Sequence, residues 1–161
     1  LVRIGAGLYG DTDALGRALR PAMRVVSRVA AINSYPRGST VGYDRWHRLD
    51  ADARLALIPL GYADGFNRSL SGTGEVLVRG ERARIVDRIA MNSFLVDVSH
   101  IAEAAPGDEV VLFGAQRDQM ITSADVDRVH GSIAADLYVA WGRLLPCRAV
   151  EDHGSVVGGA G

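Results

Sequence analysis

The chain contains no lysine: all 18 of its basic residues are arginines. No side chain here can form a Schiff base with an aldehyde cofactor or substrate, so one mode of covalent catalysis is closed to this polypeptide alone. Codon bias in a GC-rich genome accounts for the arginine excess without a functional demand. Cysteine occurs once, as Cys147, which excludes an intrachain disulfide and a cysteine-based zinc site and fits a reducing cytoplasm as the expected location. Long apolar runs are missing too: the longest, "LALIPLGYA", is far too short to cross a bilayer, and no signal peptide is visible. Neither sign of charge is in excess. A net charge of −1 and an aromatic content of 6 % argue against a nucleic-acid module and against an anionic membrane surface. The first residue is Leu1 rather than Met, so further sequence is expected upstream.

What is present is ordinary globular composition, 48 % hydrophobic and 23 % charged over 161 residues, enough for one domain plus a remnant of another. "LVRIGAGLYG" reads as the end of an apolar strand entering a glycine-bearing loop. Asp11 or Thr12 could cap a short helix through "DALGRALR", closed by Pro21. From Met23 the pattern turns to β: "MRVVSRVAAINSY", a turn at Pro36 and Gly38, then "RLALIPLGY", where Pro59 suggests an edge or a bulge. "EVLVRGERARIV" reads as two strands around a tight Arg79-Gly80-Glu81 hairpin, and "SFLVDVSH" alternates with Phe94, Val96 and Val98 on one face. Pro106-Gly107-Asp108 feeds the strand "EVVLFG". Thr122 or Ser123 is a candidate cap for a helix "ADVDRVHG" that stops at Gly131, and Ser132 for a second helix "IAADLYVAWG". A last strand is expected around "CRAV", then a glycine-rich flexible tail over 151–161. The fold class that follows is mostly β, six to eight closely spaced strands in a compact barrel-like or sandwich-like domain with two short helices.

Single motifs are weakly informative. His47, His100, His130 and His153 show no metal-ligand spacing, so no metal site is expected. No serine sits in a nucleophile elbow, and "RIGAGLYG" is neither a P-loop nor a dinucleotide fingerprint, although such a loop can offer N–H groups to a phosphate. Tyr43, in "RGSTVGYDRWHRL", could be a packed aromatic, a hydrogen-bonding clasp or an acid–base group. "GYADGFNR" carries the turn dipeptide Asp64-Gly65, and Met91 in "RIAMNSF" would ordinarily fill a core.

The ordered set is more specific. "VRIGAGLYG", "VGYDRW", "IPLGYADGFNRSL", "ARIVDRIAMN", "GDEVVLFG" and "LPCRAV", in that order from Leu1 to Val150, resemble the C-terminal domain of the alanine racemase family, with "GYADG" the most specific motif. The resemblance implies a pyridoxal 5′-phosphate enzyme (an isomerase) that interconverts L- and D-alanine and so supplies D-alanine for peptidoglycan in the cell wall. It implies a head-to-tail homodimer in which each active site combines one subunit's (β/α)8 barrel with the other's C-terminal domain. Residues 1–21 would then be the remnant end of the barrel, with its last strand and loop in Leu1 to Tyr9, and 22–150 the C-terminal β domain. The Schiff-base lysine would lie on a barrel outside this sequence, and this chain alone would be inactive.

By the same resemblance, Arg3 would meet the cofactor's pyridine nitrogen, and a permanently protonated guanidinium there cannot give that nitrogen a proton. Gly5 and Ala6 would hold the phosphate through their backbone. Tyr43 would be the catalytic acid–base group, acting in trans on one face of Cα while the lysine serves the other. Tyr62 and Arg68 would line the substrate entrance, and the backbone N–H of Met91 would meet the substrate carboxylate. Asp87-Arg88 and Met91-Asn92 stand where the family usually has Gly–Arg and Met–Asp. Gly142-Arg143 replace a Ser–Tyr pair, so Arg143 takes the phosphate-binding place, and Trp141 replaces a smaller apolar residue. These departures leave open a racemase for another amino acid, or a non-catalytic β domain for dimerisation or binding.

Overall fold

The β-rich run from Met23 to Tyr35 is not one strand but two, belonging to different sheets. In the computed structural model, which describes residues 5–9, 21–131 and 133–149, β1 (Val25–Arg28) and β2 (Ala31–Tyr35) are separated by Val29 and Ala30. The Val29 N–H donates to the Asp108 carbonyl at 2.9 Å, whereas the Ala30 N–H donates to the Leu57 carbonyl, also at 2.9 Å, so the chain changes sheet between neighbouring residues. The expected helix through "DALGRALR", Arg3, Ser132 and the 151–161 tail lie outside the described residues.

β2 pairs with β5 (Ala53–Ile58), which pairs in turn with β8 (Phe94–Asp97), all antiparallel. β5 is therefore the central strand of a three-stranded sheet, and Pro59 makes neither an edge nor a bulge of it. The ladder ends at Ile58, one residue before the missing N–H would matter. The larger sheet runs in the order β1, β9, β6, β7, built from β9 (Glu109–Gln116), β6 (Glu75–Val78) and β7 (Glu81–Arg84), with β10 (Gln119–Ile121) added to β9. β6 and β7 form the expected hairpin. Its two turn residues, Arg79 and Gly80, have φ of 55° and 85°, the left-handed pair whose twist matches that of the strands.

β3 (Thr40–Val41) and β4 (His47–Arg48) form a two-stranded ladder of their own. The result is mostly β with two helices, as expected. Among the described residues the ladders are open paths in sheets of five, three and two strands rather than a closed barrel ring.

Helix α1 (Ser123–His130) begins with a reciprocal cap: Thr122 Oγ1 accepts from the Asp125 N–H at 3.2 Å, and Asp125 Oδ2 accepts from the Thr122 N–H at 2.9 Å. It stops at Gly131, φ 71°. Helix α2 (Ala134–Leu144) runs two residues past the expected stop at Gly142. Pro146 to Ala149 form no strand; they are exposed and irregular, and Pro146 has no N–H for a ladder.

The main core joins both larger sheets to the helices. Phe66 stacks on Phe94 with centroids 4.9 Å apart, and Phe113 meets Tyr138 at 5.3 Å and Trp141 at 5.7 Å. Trp141 is buried, and its indole N–H has no hydrogen-bond partner among the described residues. A smaller cluster of Val41, Leu49, Leu55 and Val86 lies at the base of the β3–β4 ladder.

Candidate active-site face

β3 and β4 pair over only two residues each, with Val41 opposite His47. Residues 42–46 must therefore project as a turn, and Tyr43 heads it. Gly42 has φ 77°, and the non-glycine residues Asp44 and Arg45 follow at φ 60° and 55°. Left-handed backbone costs a non-glycine residue about 1–2 kcal/mol, so the conformation persists only where its surroundings enforce it. The Trp46 N–H closes the turn on the Tyr43 carbonyl at 3.2 Å, and the Tyr43 side chain is left 62 % exposed.

The enforcement comes from a segment that is unassuming in sequence, Asp87 to Met91. A Cβ placed on Gly42 would lie 3.1 Å from both the Asp87 Cβ and the Arg88 backbone nitrogen. The Arg88 guanidinium is 3.4 Å from Asp44 and lies over the Trp46 ring, 6.0 Å from its centroid. Both partners of that ion pair are exposed, so it orients more than it stabilises. Trp46 packs against Gly72, where a Cβ would lie 2.3 Å from the ring.

The "GYADG" turn attaches to the same segment. Tyr62 and Ala63 N–H groups donate to the carbonyls of Ala90 and Met91 at 3.1 and 3.0 Å. That approach requires Gly61, since a Cβ there would come within 2.3 Å of both carbonyl oxygens. Asp64 Oδ2 accepts from the Gly61 N–H at 2.9 Å, closing the turn. Gly65, φ 84°, sits against α2, where a Cβ would meet the Ala140 Cβ at 2.9 Å. Arg68 lies over the Tyr62 ring, 5.8 Å from its centroid. Its own short turn is tied in by Ser71, whose Oγ donates to the Arg68 carbonyl at 2.6 Å and accepts from the Ile89 N–H at 3.1 Å.

Four of the expected site residues, Tyr43, Tyr62, Arg68 and Met91, are thus held on or against one five-residue segment. Tyr62 and Met91 are 41 % and 53 % exposed, and Asn92 is exposed beside them. The remaining candidates sit on other elements. Arg143 is exposed on the last turn of α2. Gly5 is exposed, with no described residue within 4 Å of where its Cβ would be, and Ala6 opens a 3-10 turn (Ala6–Tyr9) that docks on α2 by stacking Tyr9 on Tyr138 at 5.0 Å.

Asp87 is the buried charged residue of this face. Burial pushes its carboxyl up to about 6, against the Leu95 N–H bond that favours the ionised form. Sequence reasoning singled out Asp87 only as a departure from a family pattern; its burial depends on how Gly42 closes over it. A broad surface groove of about 540 Å³ between β2 and the Asp52–Arg54 segment lies elsewhere. Its polar groups serve local structure: Asp52 accepts from the Arg37 N–H at 2.7 Å and Ser99 Oγ from the Arg54 N–H at 2.9 Å.

Residues 22–149 match the family model described as alanine racemase, C-terminal domain. The chain belongs to that family. A broad specificity amino-acid racemase from Pseudomonas putida is 44 % identical over 146 residues, covering 91 % of this chain and 36 % of the relative. An alanine racemase from Desulfovibrio desulfuricans is 46 % identical over 156 residues, covering 94 % and 41 %. Among solved structures, alanine racemase from Bacillus anthracis with bound L-Ala-P superposes with a TM-score of 0.77 at 31 % identity, over 86 % of this chain and 36 % of that one. The racemase domain described here therefore spans little more than a third of the length of these relatives. Within it, no helix among the described residues is long and apolar enough to cross a membrane.

Proposed function

We propose that this chain forms one wall of the active site of a pyridoxal 5′-phosphate-dependent amino-acid racemase, with alanine as substrate and Tyr43 as the acid–base group for one face of Cα. The observation that carries the reading is the convergence of Tyr43, Tyr62, Arg68 and Met91 on the Asp87–Met91 segment. A phenol, a cation over an aromatic ring and a fixed backbone amide meet there on an open face.

Each group has a role its geometry suits. The Ala90–Met91 peptide is pinned by the Tyr62 N–H on its carbonyl, and in a trans peptide the N–H points opposite to the C=O. The Met91 N–H is therefore aimed away from the "GYADG" backbone, as a donor for a substrate carboxylate. Arg68 and Tyr62 stand at the rim, where a guanidinium attracts that carboxylate. Tyr43 takes or returns a proton at Cα, and its strained turn holds the hydroxyl in place for transfer.

The cofactor, when bound, supplies the electron sink that makes the Cα proton removable. This chain can offer it the backbone of Gly5 and Ala6 and the exposed guanidinium of Arg143, with Arg3 for the pyridine nitrogen. With no lysine here, the covalent anchor belongs to a barrel elsewhere. In this reading the face is completed by the barrel of a second subunit in a head-to-tail homodimer working in the cytoplasm, and its product serves peptidoglycan synthesis.

The test is L/D-alanine interconversion by the protein that carries this chain, with Tyr43→Phe expected to lower kcat by at least about 100-fold; undiminished racemisation in that variant would sink the assigned role. Action in trans predicts that Tyr43→Phe subunits recover activity when co-assembled with subunits lacking the barrel lysine. A wider substrate range is the second reading, supported by the broad-specificity relative and by Asn92 and Arg143. A panel of basic, aliphatic and polar amino acids decides between the two.

A further inference from the structure

We propose that Asp87 is a positioning residue that ties the Tyr43 turn to the Met91 loop through one buried side chain. It is 6 % exposed, a carboxylate enclosed where the rest of the face is open. A buried charge is expensive to keep, and here two sets of contacts surround it.

On one side, Asp87 Oδ1 accepts the Leu95 N–H at 2.9 Å, and the Val86 N–H donates to the Leu95 carbonyl at 3.0 Å. Side chain and backbone together clamp the start of β8 to the strand entering the segment. Between these clamped ends the chain makes a short loop, closed at its tip by the Ala90 N–H on the Ser93 carbonyl at 2.9 Å. Met91 and Asn92 form that tip. The carboxylate therefore fixes the base of the loop that presents Met91.

On the other side, the Asp87 Cβ is in van der Waals range of Gly42, the residue before Tyr43. Neighbouring Arg88 reaches Asp44 and Trp46 on the far side of the same turn. The Tyr43 turn, with its left-handed residues, is thus seated on Asp87 and strapped by Arg88. Moving the Asp87 backbone moves both the phenol and the Met91 amide. The chemistry at Asp87 that matters is its acceptor oxygen, not its charge.

The inference rests on the racemase reading, but its first readout does not. In the protein carrying this chain, amide hydrogen exchange is measured across residues 42–46 and 93–95 for wild type, Asp87→Ala, Asp87→Asn and Gly42→Ala. Asp87→Ala is expected to speed exchange in both segments and to lower kcat/KM for racemisation by on the order of 10- to 100-fold, the cost of misplacing reacting groups by about an ångström. Asp87→Asn keeps an oxygen for the Leu95 N–H and is expected to hold exchange at or below the wild-type rate and kcat/KM within about threefold of wild type. Gly42→Ala, which leaves the Leu95 bond intact, is expected to speed exchange at 42–46 alone and to lower kcat. Unchanged exchange at 42–46 in Asp87→Ala overturns the proposal, as does an Asp87→Asn variant no better than Asp87→Ala. If Asp87→Ala does not fold, Gly42→Ala decides, and wild-type kcat in that variant overturns the link to Tyr43. Absence of racemisation in wild type defeats the functional reading and leaves the exchange result to judge Asp87.

Discussion

Asp87 shows how one residue can be well bonded and still hold stability in reserve. Its carboxyl is raised from 3.8 to about 6, chiefly by burial. Between those values the native state holds a proton the unfolded chain has already lost, so stability falls as pH rises from about 4 to about 6 and is level above that. A shift of this size corresponds to roughly 3 kcal/mol withheld at neutral pH. Asp87→Asn, neutral throughout, is expected to be more stable than wild type by about 2–3 kcal/mol at pH 8, with the gap closing towards pH 4. Urea unfolding at pH 4, 6 and 8 checks this; a gap independent of pH would show that Asp87 is not the titrating group. Asp125 has the opposite sign. Burial raises it, but hydrogen bonds from Thr122 and the nearby Arg82 outweigh that and hold it below the usual range. Its contribution is present above the ordinary carboxylate pKa and is lost only in more acid solution.

At the scale of elements, helix α1 depends on its first residues. Thr122→Ala removes one half of the reciprocal cap with Asp125 and is expected to cost about 1 kcal/mol, read as a lower urea midpoint at constant slope. That cap, the Arg79-Gly80 hairpin and the alternation of Phe94, Val96 and Val98 were legible in the sequence because each is written in adjacent residues. Three features were not. The division of the Met23–Tyr35 run between two sheets is set by Asp108 and Leu57, both remote in sequence from Val29 and Ala30. Strand β10 is three residues long and gains its identity from pairing with β9. The expected last strand near Cys147 does not form among the described residues: Pro146 to Ala149 follow the end of α2 at Leu144 exposed and irregular, and Pro146 has no N–H for a ladder. For the site, Tyr43 and "GYADG" stood out as local patterns, whereas the segment that assembles them is ordinary in composition. Its function lies in distant partners, Gly42, Ser71, Tyr62 and Leu95, which no local pattern reveals.

For the molecule as a whole, the site face is marked by exposed aromatic and apolar side chains. Tyr43, Trp46, Tyr62 and Met91 are each at least two-fifths exposed, and the chain spans 36–41 % of the length of its racemase relatives. A face of that kind is expected to be covered by a partner surface. The lysine-free sequence gives the proposed division of labour between this chain and a barrel a chemical signature. Pyridoxal 5′-phosphate added to this polypeptide alone, then treated with borohydride, is expected to leave no adduct on a side chain, as read by peptide mapping that sets the reactive N-terminal α-amine apart; a stable side-chain adduct would contradict the assignment of the anchor to another domain.

The two tryptophans occupy opposite settings in this architecture, Trp46 pinned over Gly72 at the rim and Trp141 sealed on the inner face of α2 against Phe113 of β9. They form a built-in pair of optical reporters. Light emitted by the sealed indole is set by the core and follows unfolding, whereas the rim indole sits beside a guanidinium and water and answers to whatever settles on the face. A blue shift confined to the rim component would register the arrival of a covering surface, with no label attached and no substitution made.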